Sequence, residues 1–312
     1  LFLPLLEDER PYDSLTDISL RWLNKVGRKD QPFFLNFCPK LVHGPIMTRD
    51  RKRLAYYCKK LGIDFPKDPG AICDPDAPGQ NNPYYASMVD SVDWMVAQVV
   101  ETLESIDDPR NPGHKLIDNT YLIITSDNGG AEGGRGEGEC FTDNAPLVGG
   151  KTWVREGGVR VPFLVAGPGI PAGKESDVMV NGLDFYPTIL SMAGVKKPEG
   201  KNLDGANLLP LLTGAVEDSA LVLDQNGKQR TDMMWHYPHG KNQSTIRSGD
   251  FKLIRNYDTD SGKPPALELY QLVDTKDGKS ARVDIEEAKN LAVEQPEKAA
   301  ELDTRNNETT TE

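Results

Sequence analysis

A chain of 312 residues with 38% apolar and 27% charged residues has a globular composition and is long enough for one large or two ordinary domains. Its 36 basic and 48 acidic residues leave a formal charge of -12, which argues against a nucleic-acid backbone as the main partner. No stretch approaches the roughly 18 apolar residues of a membrane span, and Cys38, Cys58, Cys73 and Cys140 lack zinc-like spacing, so a cysteine metal site is disfavoured while one or two disulfides stay open.

The opening "LFLPLLEDERPYDSLTD" has no initiator Met, no basic leader and no small-residue cleavage site, and it reads as the interior of a longer protein. In "SLTDISLRWLNKV", Leu15, Ile18, Trp22 and Val26 fall at helical spacing, with Ser14 and Asp17 as an N-cap arrangement. "PFFLNF" reads as a short buried strand running into "CPKLVHGPIM", where prolines and a glycine place His43 on a loop. Residues 48–82 are polar and rich in Pro and Gly, as expected of a surface excursion. Tyr85, Met88, Val92, Met95, Val99 and Leu103 then trace one face of a long helix starting near Pro83.

The strand "TYLIIT" leads into "SDNGG", the glycine-rich "GGAEGGRGEGE" and "GGKTWVREGGVRVPFLVAGPGI", which contains a second strand, "VPFLVA". A helix begins at Asp184 in "DFYPTILSMAG". This order favours an α/β layer with a mostly parallel sheet. Near Pro210 the pattern changes. "LDGANLLPLLTG" reads as a connector, and "TDMMWHYPHG", "STIRSGDFKLIRNY" and "LELYQLV" read as strands of a small α+β unit. The expected division is residues 1–214, residues 215–300 and a polar, disordered tail over 301–312.

Asp127 and Asn128 stand at the carboxyl end of a strand, where open α/β sheets bind ligands, and they carry oxygen donors suited to Ca²⁺ or Mg²⁺. The competing reading is an ordinary Asn-Gly turn, which spacing alone favours. Lys151 follows two glycines that permit close backbone approach, so it is either a cation for an oxyanion or a surface lysine. "GGAEGGRGEGE" lacks the G-K-[ST] of a phosphate loop. His43 is a general acid or base candidate, or simply an exposed histidine. His236 and His239 in "WHYPH" are not a helical metal pair, because Pro238 intervenes; they line a cleft or cap a strand. No G-x-S-x-G motif is present.

Together these segments resemble the sulfatase family, whose fold is that of alkaline phosphatase. "LVHGP", "TSDNGG", "GGKTWVREGGVRVPF", "LDFYPTILSMAG", "LDGANLLPLLTG", "IRSGDFKLI" and "ELYQLV" follow in family order. "WHYPH" is similar to a segment of bacterial members acting on sulfated sugars.

The resemblance implies an alkaline-phosphatase-like sandwich. Asp127 and Asn128 would bind a divalent metal, usually Ca²⁺ with Mg²⁺ as the alternative, and Lys151 the sulfate oxygens. His43 would protonate the leaving alcohol, and His236, His239 and Arg247 would border the substrate. It implies a sulfated carbohydrate or other sulfate ester as substrate, and a periplasmic, secreted or lysosomal-type location. Oligomeric state is not specified.

The family's nucleophile, a formylglycine formed in a C/S-x-P/A-x-R motif, has no match here: Cys38 is followed directly by Pro39 and Lys40. The motif is expected upstream of Leu1, in a part of about 150 residues, and the chain alone is expected to be inactive. Two alternatives stand beside this reading: a non-catalytic anion- or glycan-binding relative, and a phosphatase or phosphonate hydrolase of the same superfamily.

Overall fold

The computed structural model describes residues 10–65, 79–132, 141–217, 222–224, 226–238, 241–257, 264–276 and 279–310. Within it the chain forms two compact units, residues 1–122 with 130–143 and residues 123–129 with 144–312. The boundary expected near 214 falls inside the second unit. The reason is packing: Val222 joins Ala206, Leu208 and Leu211 in one apolar cluster that spans it.

In the first unit, α1 (Ser14–Val26) is capped by Asp13, which accepts from Thr16 N at 2.7 Å, one residue before the expected cap. Its buried face is also rotated by one position, to Thr16, Ser19 and Leu23, leaving Ile18 56% exposed. The excursion over 48–82 contains an unexpected helix, α2 (Arg51–Leu61), which buries only Leu54 and Cys58 and ends on a left-handed Gly62. Helix α3 (Pro83–Ser105) starts as expected, with Asn82 capping, and buries Met88, Met95 and Leu103.

Leu23, Leu103, Ile106 and Leu116 form the core of this unit. "PFFLNF" is extended rather than a strand. Phe33 and Leu35 pack on that core and Phe34 is 67% exposed, so the period of two is real, but no ladder is formed among the described residues.

Strand β1 (Leu122–Thr125), which lies in the second unit from its second residue on, pairs with β2 (Phe163–Ala166) in a two-stranded sheet. Ile124 and Leu164 remain 41% and 57% exposed, so the strand expected to be buried is half-covered. Between them lies α4 (Glu156–Val159), and after them α5 (Phe185–Met192) and α6 (Leu209–Leu212). Asp184, fully buried before α5, accepts from Asn181 N and Ala206 N and is gripped by both Arg230 guanidinium nitrogens. That arrangement satisfies a carboxylate which would otherwise be costly to bury.

Four antiparallel strands follow in spatial order: β3 (Asp232–Tyr237), β4 (Gln243–Ser248), β5 (Phe251–Asn256) and β6 (Ala266–Gln271). A hairpin of β7 (Val273–Lys276) and β8 (Lys279–Arg282) and helix α7 (Pro296–Thr310) complete the unit. The tail expected to be disordered over 301–312 is helical through Thr310. It packs through Ala299, Leu302 and Asn306 at helical spacing, and Arg255–Asp303 and Arg305–Asp232 ion pairs tie it to the sheet. Side chains alternate across the sheet. Ile246, Leu253 and Leu269 face α7, whereas Ile254 and Tyr270 pack with Val154 on the opposite face.

Candidate anion and metal site

The strand β1 ends in a turn held by its own side chains. Thr125 Oγ1 donates to Pro162 O at 2.9 Å, and Ser126 Oγ to Asn128 O at 2.8 Å. Asn128 Nδ2 donates to Gly129 O at 2.9 Å, which leaves the lone pairs of its Oδ1 for a cation. The Asp127 carboxylate is exposed and makes no hydrogen bond or ion pair among the described residues.

Residues 148–158 fold back on themselves in a glycine-lined loop. Gly157 N donates to Val148 O and Trp153 N to Gly150 O, both at 2.9 Å. A Cβ on Gly157 would lie 1.9 Å from Gly149 O, and one on Gly158 2.4 Å from Gly150 O. The two turns meet here: Gly129 N donates to Gly158 O at 3.0 Å, and a Cβ on Gly129 would sit 1.7 Å from Gly157 O. The backbone thus runs from Asn128 through Gly129, Gly158 and Gly150 to Lys151. Only glycine permits that approach.

Lys151 is half-buried, and its ammonium makes no ion pair among the described residues. Thr152, next in sequence, has φ 76, a left-handed conformation that is strained for a β-branched residue. Lys241 Nζ lies 3.7 Å from the centroid of the Trp153 ring, so the β3–β4 turn reaches the same loop.

Behind the loop lies a buried ionic cluster on the sheet face opposite α7. Lys252 Nζ, with no exposed side-chain surface, is 2.9 Å from Glu156 Oε1 and 3.1 Å from Glu287 Oε1. Glu287 Oε2 in turn accepts from Glu156 N at 2.8 Å. Arg247 and Arg160 each approach Glu156 Oε2 at 3.6 Å. Arg155 pairs with Glu268 and donates to Tyr270 Oη at 3.2 Å.

Burial opposes a charged Glu156, but Lys252, Arg247 and Arg160 outweigh it and hold the carboxyl below the ordinary range. Burial pushes Glu287 up despite Lys252 and the Glu156 N–H. Burial and the hydrogen bond to Glu268 push Tyr270 up to about 12.

The structure therefore brings the Asp127–Asn128 turn and the Lys151 loop together. Arg247 is engaged with Glu156, and its side chain is only 13% exposed. His236 is exposed on β3, edge-on to Tyr257 at 6.2 Å between ring centroids. His239 and residues 133–140 of the glycine-rich segment lie outside the described residues. His43 belongs to the first unit. It is exposed there, with Nδ1 donating to Gly44 O at 3.0 Å, so Nε2 is the nitrogen left for proton transfer. Cys38 and Cys58 are free thiols.

The donor chemistry of Asp127 and Asn128 fits a hard divalent cation. They are a partial set: among the described residues no group of three or more His, Cys, Asp or Glu side chains gathers to hold a metal.

Sequence reasoning missed Glu156, Lys252 and Glu287. The available signal was a lysine inside the apolar run "FKLI" of a strand.

The sulfatase family profile matches residues 7–195, and that of the N-sulphoglucosamine sulphohydrolase C-terminal region matches residues 149–303. This chain belongs to the sulfatase family. A sulfatase of Formosa agariphila is 31% identical over 301 residues, covering 91% of this chain and 46% of that protein. The N-acetylgalactosamine-6-sulfatase of Canis lupus familiaris is 29% identical over 175 residues, 54% of this chain and 28% of its own length.

A solved sulfatase structure, described with the metabolism of multiple glycosaminoglycans by Bacteroides thetaiotaomicron, superposes with a TM-score of 0.63. It shows 21% identity and covers 95% of this chain and 54% of its own. The fold is accordingly the α/β, alkaline-phosphatase-like fold of sulfatases. The chain spans about half the length of these relatives or less. Sulfatases as a family use a formylglycine and a divalent metal.

Proposed function

We propose that the complete protein is a sulfuric ester hydrolase acting on sulfated carbohydrates. The observation that carries this reading is the glycine junction, where Gly129 meets Gly157 and Gly158 and joins a turn with two oxygen-bearing side chains to a loop whose Lys151 makes no ion pair among the described residues. A sulfate ester presents a charged group whose oxygens need cations and a leaving alkoxide that needs a proton.

In this reading Asp127 and Asn128 would contribute oxygen ligands to a divalent cation, Ca²⁺ or Mg²⁺, which would supply Lewis-acid polarisation of a sulfate oxygen. Lys151 neutralises another oxygen. His43 would deliver a proton to the leaving oxygen through Nε2, the ring nitrogen that its Nδ1 hydrogen bond leaves open. His236, His239 and Lys241 border the sugar, whereas Arg247 braces Glu156. The nucleophile, a formylglycine, is assigned to sequence outside these 312 residues.

The test is turnover of 4-nitrophenyl sulfate by the full-length protein. Hydrolysis should require a divalent metal, return with added Ca²⁺ after chelation, and fall about 100-fold or more in kcat/KM with Lys151→Ala. Cleavage of 4-nitrophenyl phosphate in place of the sulfate would favour the phosphatase branch. Glycan binding without turnover would favour the binding relative.

A further inference from the structure

We propose that Glu156, Lys252 and Glu287 are positioning residues for the Lys151 loop, fixing its place through a buried ionic clamp on the C-terminal sheet. This inference rests on Lys151 being the oxyanion-binding residue.

A fold has little reason to place an ammonium in the wall of a core. Lys252 lies on β5 on the same face as Ile254, in a layer otherwise closed by Val154, Tyr270 and Leu272, and its side chain is fully buried. Apolar residues in such a position commonly match or exceed a buried ion pair in stability, so packing alone does not explain it. Ion pairs do supply direction. Lys252 reaches Glu156 Oε1 at 2.9 Å, Glu287 reaches Glu156 N at 2.8 Å, and Arg155 donates to Tyr270. Backbone and side chain of Glu156 are thus both held, from β5 and from the Glu287 turn.

Glu287 itself takes φ 50, a left-handed conformation, while making these contacts. Glu156 leads directly into Gly157 and Gly158, which carry the backbone of Gly149 and Gly150 on one side and Gly129 on the other. A shift at Glu156 has no slack to dissipate in, because those approaches leave no room for a methyl group. It is passed to Lys151.

The test is a double-mutant cycle in the full-length protein. One arm is Lys252→Met with Glu287→Gln, which removes one positive and one negative charge and leaves Glu156 opposite Arg247. The other arm is Lys151→Ala. Three quantities are read: the dissociation constant for inorganic sulfate by calorimetry, kcat/KM for 4-nitrophenyl sulfate, and the thermal midpoint.

The paired variant should keep its midpoint within a few degrees yet weaken sulfate binding and kcat/KM by about 10-fold. In the Lys151→Ala background the same pair should cost less than about 2-fold. Equal losses in both backgrounds would overturn the clamp while leaving the reading of Lys151 intact. A Lys151→Ala variant without any loss would overturn both. If the paired variant does not fold, Glu287→Gln alone takes its place, with the same coupling expected and the same result contradicting it.

Discussion

The two faces of the β3–β6 sheet solve different problems with the same backbone. Toward α7 the sheet presents Ile246, Leu253 and Leu269 to Leu291, Ala299 and Leu302, a contact that is apolar at its core. On the other face Lys252, Arg247, Glu268 and Tyr270 meet Arg155 and Glu156, so the contact there is ionic and directional. On the α7 side apolar packing carries the contact and the Arg255–Asp303 and Arg305–Asp232 ion pairs supplement it. The loop that carries Lys151 at one end and supports Asn128 through Gly129 is instead held at Glu156 by the ionic contacts themselves.

The largest effect should come from the junction itself. Gly157→Val places a side chain where Gly149 O lies 1.9 Å from a Cβ position, and should cost more than about 3 kcal/mol by urea denaturation. Next come single changes on each face. Leu253→Ala under α7 should cost about 2–5 kcal/mol by leaving a cavity. Lys252→Met should cost about 3–5 kcal/mol, because two glutamates lose their shared partner. The faces separate in the rescue: adding Glu287→Gln should recover most of the Lys252→Met loss, and no charge change should rescue Leu253→Ala.

The same asymmetry sets a pH dependence. Burial raises Glu287 above its ordinary 4.5. A carboxyl raised in the folded state contributes stability that is fully present below 4.5 and lost as pH rises through the raised value. Glu156 is held below 4.5, by Lys252 and Arg247 against burial, so its contribution is present above 4.5 and lost as pH falls through the depressed value. Glu287→Gln should abolish the decline in urea midpoint above pH 4.5 and leave the acid-side loss in place. The smallest effect is expected at Thr152. Thr152→Asn relieves a left-handed β-branched residue and should raise stability by roughly 0.5–1 kcal/mol.

The sheet was legible from the sequence because its short strand-like runs are punctuated by turns, and α3 because six apolar residues mark one face. Helix α2 was not, since "RKRLAYYCKKL" buries only Leu54 and Cys58. Helix α7 escaped because the fully buried Asn306 lies on its packed face with Ala299 and Leu302, and polarity hides such a face. In the site, Asp127, Asn128 and Lys151 stood out by chemistry and by their glycines. Lys252 did not, because burial is a tertiary fact and a lysine in a strand reads as exposed. The same limit applies to Arg247, whose partner Glu156 lies far away in sequence.

The central claim is that the Asp127–Asn128 turn and the Lys151 loop act as one site across the glycine junction. The most direct measurement is kcat/KM for 4-nitrophenyl sulfate in Asp127→Ala, Lys151→Ala and the double variant of the full-length protein. Residues acting as a unit lose function together, so the double variant should be within about 3-fold of the weaker single variant. A double variant whose loss equals the product of the two single losses would contradict the claim.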